Sequence, residues 1–290
     1  MNKFVIIVDS CVDLSIEKVK DLDLIVVPLK VEIDGKIYSN YPDEREIKAT
    51  DFYSLLREGK VAITSQVNSY QFSEEMEKVL KDGYDVLYVG FSSALSGTFN
   101  SFAIAKDELK DKYPNRKIIA VDSLCASLGH GLLVTYASNM RKQGKSIDDV
   151  AKWLEENKLH LVHLFTIDDL SCLKRGGRLS GSAALIGTML HLKPLLHVNN
   201  EGKLVATGKV FGRKNSLKKL VEKMEDNIID PQNQVVYISH GDCIEEANYV
   251  AELIKETYKV KDVYINFVGP VIGAHSGPGT IAIFFLGKER

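Results

Sequence analysis

Cysteine is scarce and scattered in this chain of 290 residues. Its four cysteines, Cys11, Cys125, Cys172 and Cys243, form neither a CxxC pair nor a zinc-like spacing. A disulfide scaffold and a small zinc fold are therefore excluded. No apolar run approaches the ~18 residues of a membrane span. Residues 4–8 are apolar, but Asp9 ends the run, which makes it a strand and not the core of a signal peptide. Neither sign of charge is in surplus: 37 Lys and Arg stand against 39 Asp and Glu, a net charge of −2. That balance lacks the electrostatic footprint of a nucleic-acid binder. A GxGxxG fingerprint and a P-loop are also missing, so the nucleotide-binding modes they serve are set aside. We expect a cytoplasmic protein with reduced thiols. We expect no metal, cofactor or nucleic-acid partner and no membrane span, transient contact with a membrane surface being compatible with all of this.

What is present is a repeated phrase of apolar β-branched run, polar tip and amphipathic helix. Residues 4–8 end in Asp9-Ser10 before a helix opening at Ser15. Residues 85–89 end in Gly90-Phe91-Ser92-Ser93 before a helical run reaching about Leu109. Residues 117–121 end in Asp122-Ser123 before a helix over about 129–143. Strands and helices alternating at this spacing predict βαβ units and a parallel sheet. Ligands of such sheets bind beyond the carboxyl ends of the strands. Asp34-Gly35 predicts a small hairpin beside this unit. The second half reads as a mixed sheet with helices. A capped helix begins at Ser146, strands are expected at 161–166, 195–198, 204–210, 235–239, 263–267 and 280–286, and helices at 183–190 and 244–257. The fold class is α/β in two domains. Residues 1–160 form an N-terminal parallel-sheet βαβ domain and residues 161–290 a C-terminal mixed-sheet α/β domain, with any ligand between them.

Three segments can carry chemistry. Gly273-Ala274-His275-Ser276-Gly277-Pro278-Gly279 frames one histidine among glycines between two apolar runs. It is expected to be a loop holding an imidazole with bare N–H groups around it, or else a tight hairpin with an incidental histidine. Thr64-Ser65-Gln66 precedes a helix opening near Ser69, and Ser96-Gly97-Thr98 precedes another. Hydroxyls there ordinarily cap helices, yet backbone amides and a hydroxyl also converge where the helix dipole favours an anion. Thr64, Ser96 and His275, supported by Ser65, Gly97, Ser276 and Gly277, would make an oxyanion site without lysine or arginine, suited to one carboxylate. A Ser96–His275–Asp122 hydrolase triad is the competing reading, although the segment around Ser93 lacks the G-x-S-x-G elbow. Arg175-Gly176-Gly177-Arg178 and the basic stretch 203–223, which includes Arg213 and Lys214, are solvated charge or a face for an acidic partner. Leu185, Ile186, Met189 and Leu190 are core residues or the wall of an apolar channel.

In order and approximate spacing, Thr64-Ser65-Gln66, residues 92–98, Asp122-Ser123, Arg175-Gly176-Gly177-Arg178, Leu192-Lys193-Pro194, Gly212-Arg213-Lys214 and residues 273–279 resemble the DegV proteins. The resemblance covers nearly the whole chain. It implies a long-chain fatty acid, such as palmitate or oleate, held between two α/β domains. It further implies a non-catalytic subunit that presents the acid's carboxylate to a separate ATP-using fatty acid kinase. Carried onto this sequence, the carboxylate contacts fall on Thr64 and Ser96 with His275 beside them. The tail would then run along Leu185, Ile186, Met189 and Leu190, and Arg175, Arg178, Arg213 and Lys214 would dock the kinase. An acyl hydrolase using Ser96 and His275 is the alternative.

Overall fold

The computed structural model describes residues 3–180 and 191–290. Three sheets carry the fold. In the first, β1 (Phe4–Asp9) lies between β2 (Leu24–Val27) and β6 (Asp85–Gly90), with β7 (Ile118–Asp122) outside β6 and every pairing parallel. Its strands are apolar runs because both faces are covered. The connections are the expected helices: α1 (Ile16–Asp21), α3 (Ser69–Lys81) and α4 (Thr98–Lys112).

The second sheet is small and antiparallel, in the order β4-β3-β5. β3 (Lys30–Ile33) and β4 (Lys36–Ser39) form the hairpin predicted from Asp34-Gly35, both of which have positive φ. β5 (Ala62–Ser65) adds the third strand. This corrects one reading. Thr64 and Ser65 are strand residues, and the cap of α3 is Asn68, in a capping box with Gln71. Helix α2 (Ala49–Arg57) joins β4 to β5.

The third sheet is mixed and seven-stranded, in the order β13-β12-β14-β8-β10-β11-β9. Its strands are β8 (Leu161–Thr166), β9 (Leu179–Ser180), β10 (Leu192–Val198), β11 (Leu204–Phe211), β12 (Val235–His240), β13 (Asp262–Phe267) and β14 (Ile281–Leu286). Pro194, expected just before a strand, lies within β10. It is tolerated because the pairing with β8 involves only Leu196 and His197. Helices α5 (Leu128–Lys142) and α6 (Ile147–Asn157) link the halves, the latter opening on the predicted Ser146 cap. Helices α7 (Ser171–Gly176), α8 (Arg213–Glu222), α9 (Ile244–Tyr258) and α10 (Pro270–Ser276) complete the second half.

The strand sets part near residue 160, the division we adopt, but the packing crosses it. Helix α5 lies against β8, β12 and β14, and α10 lies against α2, β3 and β5. One buried cluster joins Ile6 and Val8 to Leu132, Phe165 and Phe284. A polar link crosses the same boundary. Ser127 Oγ stands 2.6 Å from Asp13 Oδ2 and 3.0 Å from Ser239 Oγ. Burial pushes the Asp13 carboxyl from an ordinary 3.8 up to about 8, so it is protonated at neutral pH.

A carboxyl raised in the folded state keeps a proton that the unfolded chain releases between those two values. Its contribution is whole below the lower value and is lost as pH rises toward the upper one. Urea unfolding of the wild type should therefore show stability falling between about pH 6.5 and about pH 8, above the range in which the buried histidines exchange protons, with Asp13→Asn flattening that slope. An equally steep slope in the variant would assign the effect to another group.

Candidate functional site

Between the parallel sheet and the mixed sheet lies a cavity of about 180 Å3, with a polar end and an apolar body. The polar end gathers Thr64, Gln66, Ser96, Gly97, Arg178 and His275, with Ser276 beside them. Leu29, Phe91, Val198, Leu204 and Phe284 are among the apolar walls. The register of β14 orders the depth. Thr280, Ala282 and Phe284 line the cavity from one face of the chain, Ala282 facing Phe165 and Phe284 facing His163 across β8. Thr280 is nearest the histidine in sequence, so Phe284 marks a level about 14 Å below at ~3.4 Å per residue.

His275 is held differently from its expected setting. The glycine-rich segment is not an open loop: residues 270–276 form α10, and His275 sits in its last turn. Proline at the first helical position suits that start, and Gly277, at φ 78°, ends the helix. The Gly277 N–H is spent on Gly273 O, so it is not the bare donor anticipated. The imidazole Nε2 is 2.9 Å from Thr64 Oγ1. Gly176 makes room for the ring, since a Cβ there would collide with Nδ1. Burial first, and the Arg178 guanidinium second, hold His275 down at about 4. It is therefore a neutral imidazole at pH 7. Its Nδ1 and the Ser276 Oγ are buried and lack a hydrogen-bond partner among the described residues.

Ser96 Oγ accepts from the Thr98 amide at 3.2 Å and pairs with Thr98 Oγ1 at 2.9 Å, at the positive end of the 15-residue helix α4. Gly97 lets Gln66 approach, a Cβ there colliding with the amide oxygen of Gln66, whose Nε2 donates to Ser101 Oγ. The hydrolase triad is not assembled: His275 bonds Thr64 and not Ser96, and Asp122 accepts from the amides of Ser93 and Leu124. Asp9, at a strand tip expected to face the ligand, is occupied in shaping the loops, accepting from Tyr88 Oη and the Phe91 amide.

Other readings are corrected as well. Ser65 is exposed because alternation along β5 turns it away from the face of Thr64; Gln66 lines the cavity in its place. The site does contain an arginine. Gly177, at φ 68°, reverses the chain after α7 so that Arg178 lines the cavity and donates from Nε to Leu95 O at 3.2 Å, while Arg175 stays exposed. Arg213 is not a free surface charge: it pairs with Glu246 and Asp168 with its side chain 18% exposed. The Lys214 ammonium lies over the Tyr249 ring. Leu185, Ile186, Met189 and Leu190, and the helix expected over 183–190, fall outside the described residues. Gln66 was legible as the third residue of its motif. The position of Arg178 in the wall depends on a single left-handed glycine and was not.

Fold and site together define a two-domain α/β protein with a buried, mainly apolar cavity closed by a polar, arginine-containing end. A family model described as an uncharacterised protein of the DegV family matches residues 3–288. A DegV domain-containing protein of Clostridium perfringens is 50% identical over 100% of this chain and 99% of its own length. Two solved structures superpose over almost the whole molecule. A DegV family protein of Thermus thermophilus, described for its fatty acid binding, has a TM-score of 0.88 and 30% identity, covering 99% of this chain and 100% of that one. DegV of Bacillus subtilis, described as a fatty acid binding protein, has a TM-score of 0.85 and 29% identity, with the same coverage. The chain belongs to the DegV family. Among the described residues, no helix is long and apolar enough to cross a membrane, and no cluster of three or more histidine, cysteine or acidic residues is placed to hold a metal ion.

The His275 ring should titrate in NMR with a midpoint of about 4 and stay neutral above it. Because that value lies below the ordinary 6.5, the unfolded chain takes the proton first, and acidification through this window costs stability. Arg178→Ala should raise the midpoint, by less than full exposure of the ring would. A midpoint near the ordinary histidine value in the wild type would show that the ring is open to water.

Proposed function

We propose that this chain binds a long-chain fatty acid, with the carboxylate at the polar end of the cavity and the tail in its apolar body, and presents the carboxylate to a separate ATP-using kinase subunit that makes the acyl phosphate. The observation that carries the reading is the asymmetry of the cavity. Hydroxyls of Thr64 and Ser96, the neutral His275, the guanidinium of Arg178 and the unpartnered Ser276 Oγ gather at one end, while the rest of the lining is mainly apolar, interrupted by Thr280, Ser127, Ser239 and His163. Arg178 supplies the positive charge that one carboxylate requires. Gly97 belongs to the same end through the start of α4, and Gly277 acts by ending α10.

Magnitudes divide the labour. Burying about fourteen methylenes at ~0.8 kcal/mol each gives roughly 11 kcal/mol gross. Association and ordering costs remove several kcal/mol of this. Each hydrogen bond to the charged head adds roughly 1.5–3 kcal/mol. The tail sets affinity and the head sets orientation, a division suited to a carrier. The neutral imidazole bonded to Thr64 is suited to hold that hydroxyl in place toward the head group without adding charge there. The kinase docks beside the mouth, where Arg175 is exposed. Arg213 serves the fold, and Lys214 stays a candidate contact on the basic stretch.

Lipid extracted from the purified protein and read by mass spectrometry should contain a stoichiometric long-chain fatty acid. No extracted acid, together with no uptake of added palmitate or oleate, overturns the reading. Thr64→Val and Ser96→Ala should each weaken fatty acid binding by roughly tenfold or more, the loss of one bond to a charged group. Arg178→Met should weaken it and reduce its dependence on salt. With a cognate kinase, His275→Ala should depress acyl-phosphate formation more than fatty acid occupancy. Equal transfer by variant and wild type would leave His275 a structural residue only.

A further inference from the structure

The deep end of the cavity is closed by a device that the head-site reading does not use. Arg290 donates from Nε to Leu161 O at 3.1 Å and from Nη1 to Leu124 O at 2.7 Å and Asn199 O at 3.3 Å. Its Nη2 donates to Cys125 Sγ at 3.1 Å and Lys158 O at 2.6 Å. A guanidinium has five N–H donors, and here each has an acceptor. Among the described residues no carboxylate pairs with it, so four carbonyls and one thiol carry the whole interaction. Such a group is a clamp on backbone, not a member of an ion pair.

The three segments it clamps are those that end the cavity. Leu124 and Cys125 belong to the connection from β7 to α5, next to the lining residue Ala126. Lys158 and Leu161 lead into β8, two residues before the lining residue His163. Asn199 opens the turn from β10 to β11, next to the lining residue Val198, whose register partner Leu204 also lines the cavity. His163 faces Phe284, the deepest level of the β14 face, and its Nε2 accepts from the Ala126 amide at 3.1 Å. Two of the clamped loops also rest on one another: a Cβ on Gly202 would lie 3.2 Å from Leu124 Cα. Ser92 braces both, its amide donating to Cys125 O at 3.0 Å and its Oγ to Gly202 O at 2.8 Å, and Leu124 is held at φ 52°, in the left-handed region that a leucine rarely occupies. The guanidinium thus stands behind the level farthest from Thr64 and His275, and with the Ala126–His163 and Ser92–Gly202 bonds it fastens the two domains together there, reaching all three segments at once.

We infer that Arg290 is a specificity-determining residue: it holds the floor of the lipid cavity shut and so sets the longest acyl chain the protein accepts. The inference rests on the fatty-acid reading above and adds to it the residue that limits chain length. Removing the clamp frees the three loops to part, and a longer tail then passes between Ala126 and Val198. The test is competition of saturated fatty acids from myristate to behenate against a fluorescent fatty acid, on wild type, Arg290→Met and Arg290→Lys, with thermal unfolding measured in parallel. In the wild type, affinity should fall beyond one chain length. In Arg290→Met that limit should move to longer chains, with affinity for arachidate relative to palmitate rising about tenfold, the gain of burying about two of its four additional methylenes. Arg290→Lys, which keeps the charge and up to three donors, should move the limit less, and it decides the matter in the same series if the methionine variant does not fold. An unchanged limit in a folded variant, or a uniform loss of affinity at every length, overturns the inference and leaves the fatty-acid reading standing. A wild type that binds none of the acids overturns both.

Discussion

The site exists because α10, from the second half of the chain, packs onto the small antiparallel sheet and α2 of the first. Val268, Val271 and Ala274 enter the same buried cluster as Val31, Phe52 and Tyr53. Gly273 permits this, since a Cβ there would lie 2.6 Å from the Tyr53 hydroxyl. Tyr53 Oη donates to Val268 O at 2.8 Å and ties the entrance of α10 to α2. With the helix seated this way, its last turn brings His275 to Thr64, 211 residues away in sequence. The head site is thus a product of interdomain packing and not of a loop. Motion of the halves that broke the Thr64–His275 bond would also part this shared cluster.

Polar groups otherwise serve to close an apolar space. Arg213 holds Glu246 and Asp168 and donates to Gly279 O, which secures the residues following α10. Asp13, Ser127 and Ser239 link the halves at the level of Ala282, between the head and the floor. Ser239 and Ser127 line the cavity, whereas the Asp13 carboxyl sits behind them. Kept protonated by burial, Asp13 adds no negative charge beside the ligand space. An ionised carboxylate at this level would oppose an anionic ligand head electrostatically. The neutral states of Asp13 and His275 therefore act together: Arg178 is the charge that the cavity offers.

Much of this was legible in the sequence. The βαβ phrase, the Asp34-Gly35 hairpin, the Ser146 cap and the DegV resemblance all depend on local patterns with a defined period or turn chemistry, and such patterns survive folding. Thr64, Ser96 and His275 were found as polar residues framed by glycine or helix starts, and all three line one cavity. The errors have a common physical origin. Glycines at 273 and 277 look like an open loop, but Gly273 serves close packing inside a helix and Gly277 serves to end it. Ser65 and Gln66 exchange roles because one residue of strand alternation moves a side chain across the sheet. Arg178 and Arg213 look alike as basic residues near glycine, yet one turns into the cavity and the other into an ion pair. Charge patterning reports composition and not direction.

The same distinction explains why the floor of the cavity has no sequence signal. Arg290 binds carbonyls, and a carbonyl is present at every position whatever the residue type. The clamp at the deep end is therefore written mainly in backbone geometry, in the turn at Asn199, the left-handed Leu124 and the approach to β8, with the Cys125 thiol as its one side-chain acceptor. The head is written in side chains. If the proposed site holds, carboxylate chemistry rests on a few hydroxyls, an imidazole and an arginine. Chain-length preference would then depend on any residue that alters how three loops meet. On the proposed reading, the residues of the head would mark a fatty-acid binder without setting which acid it takes, because head recognition and tail length would rest on different kinds of interaction.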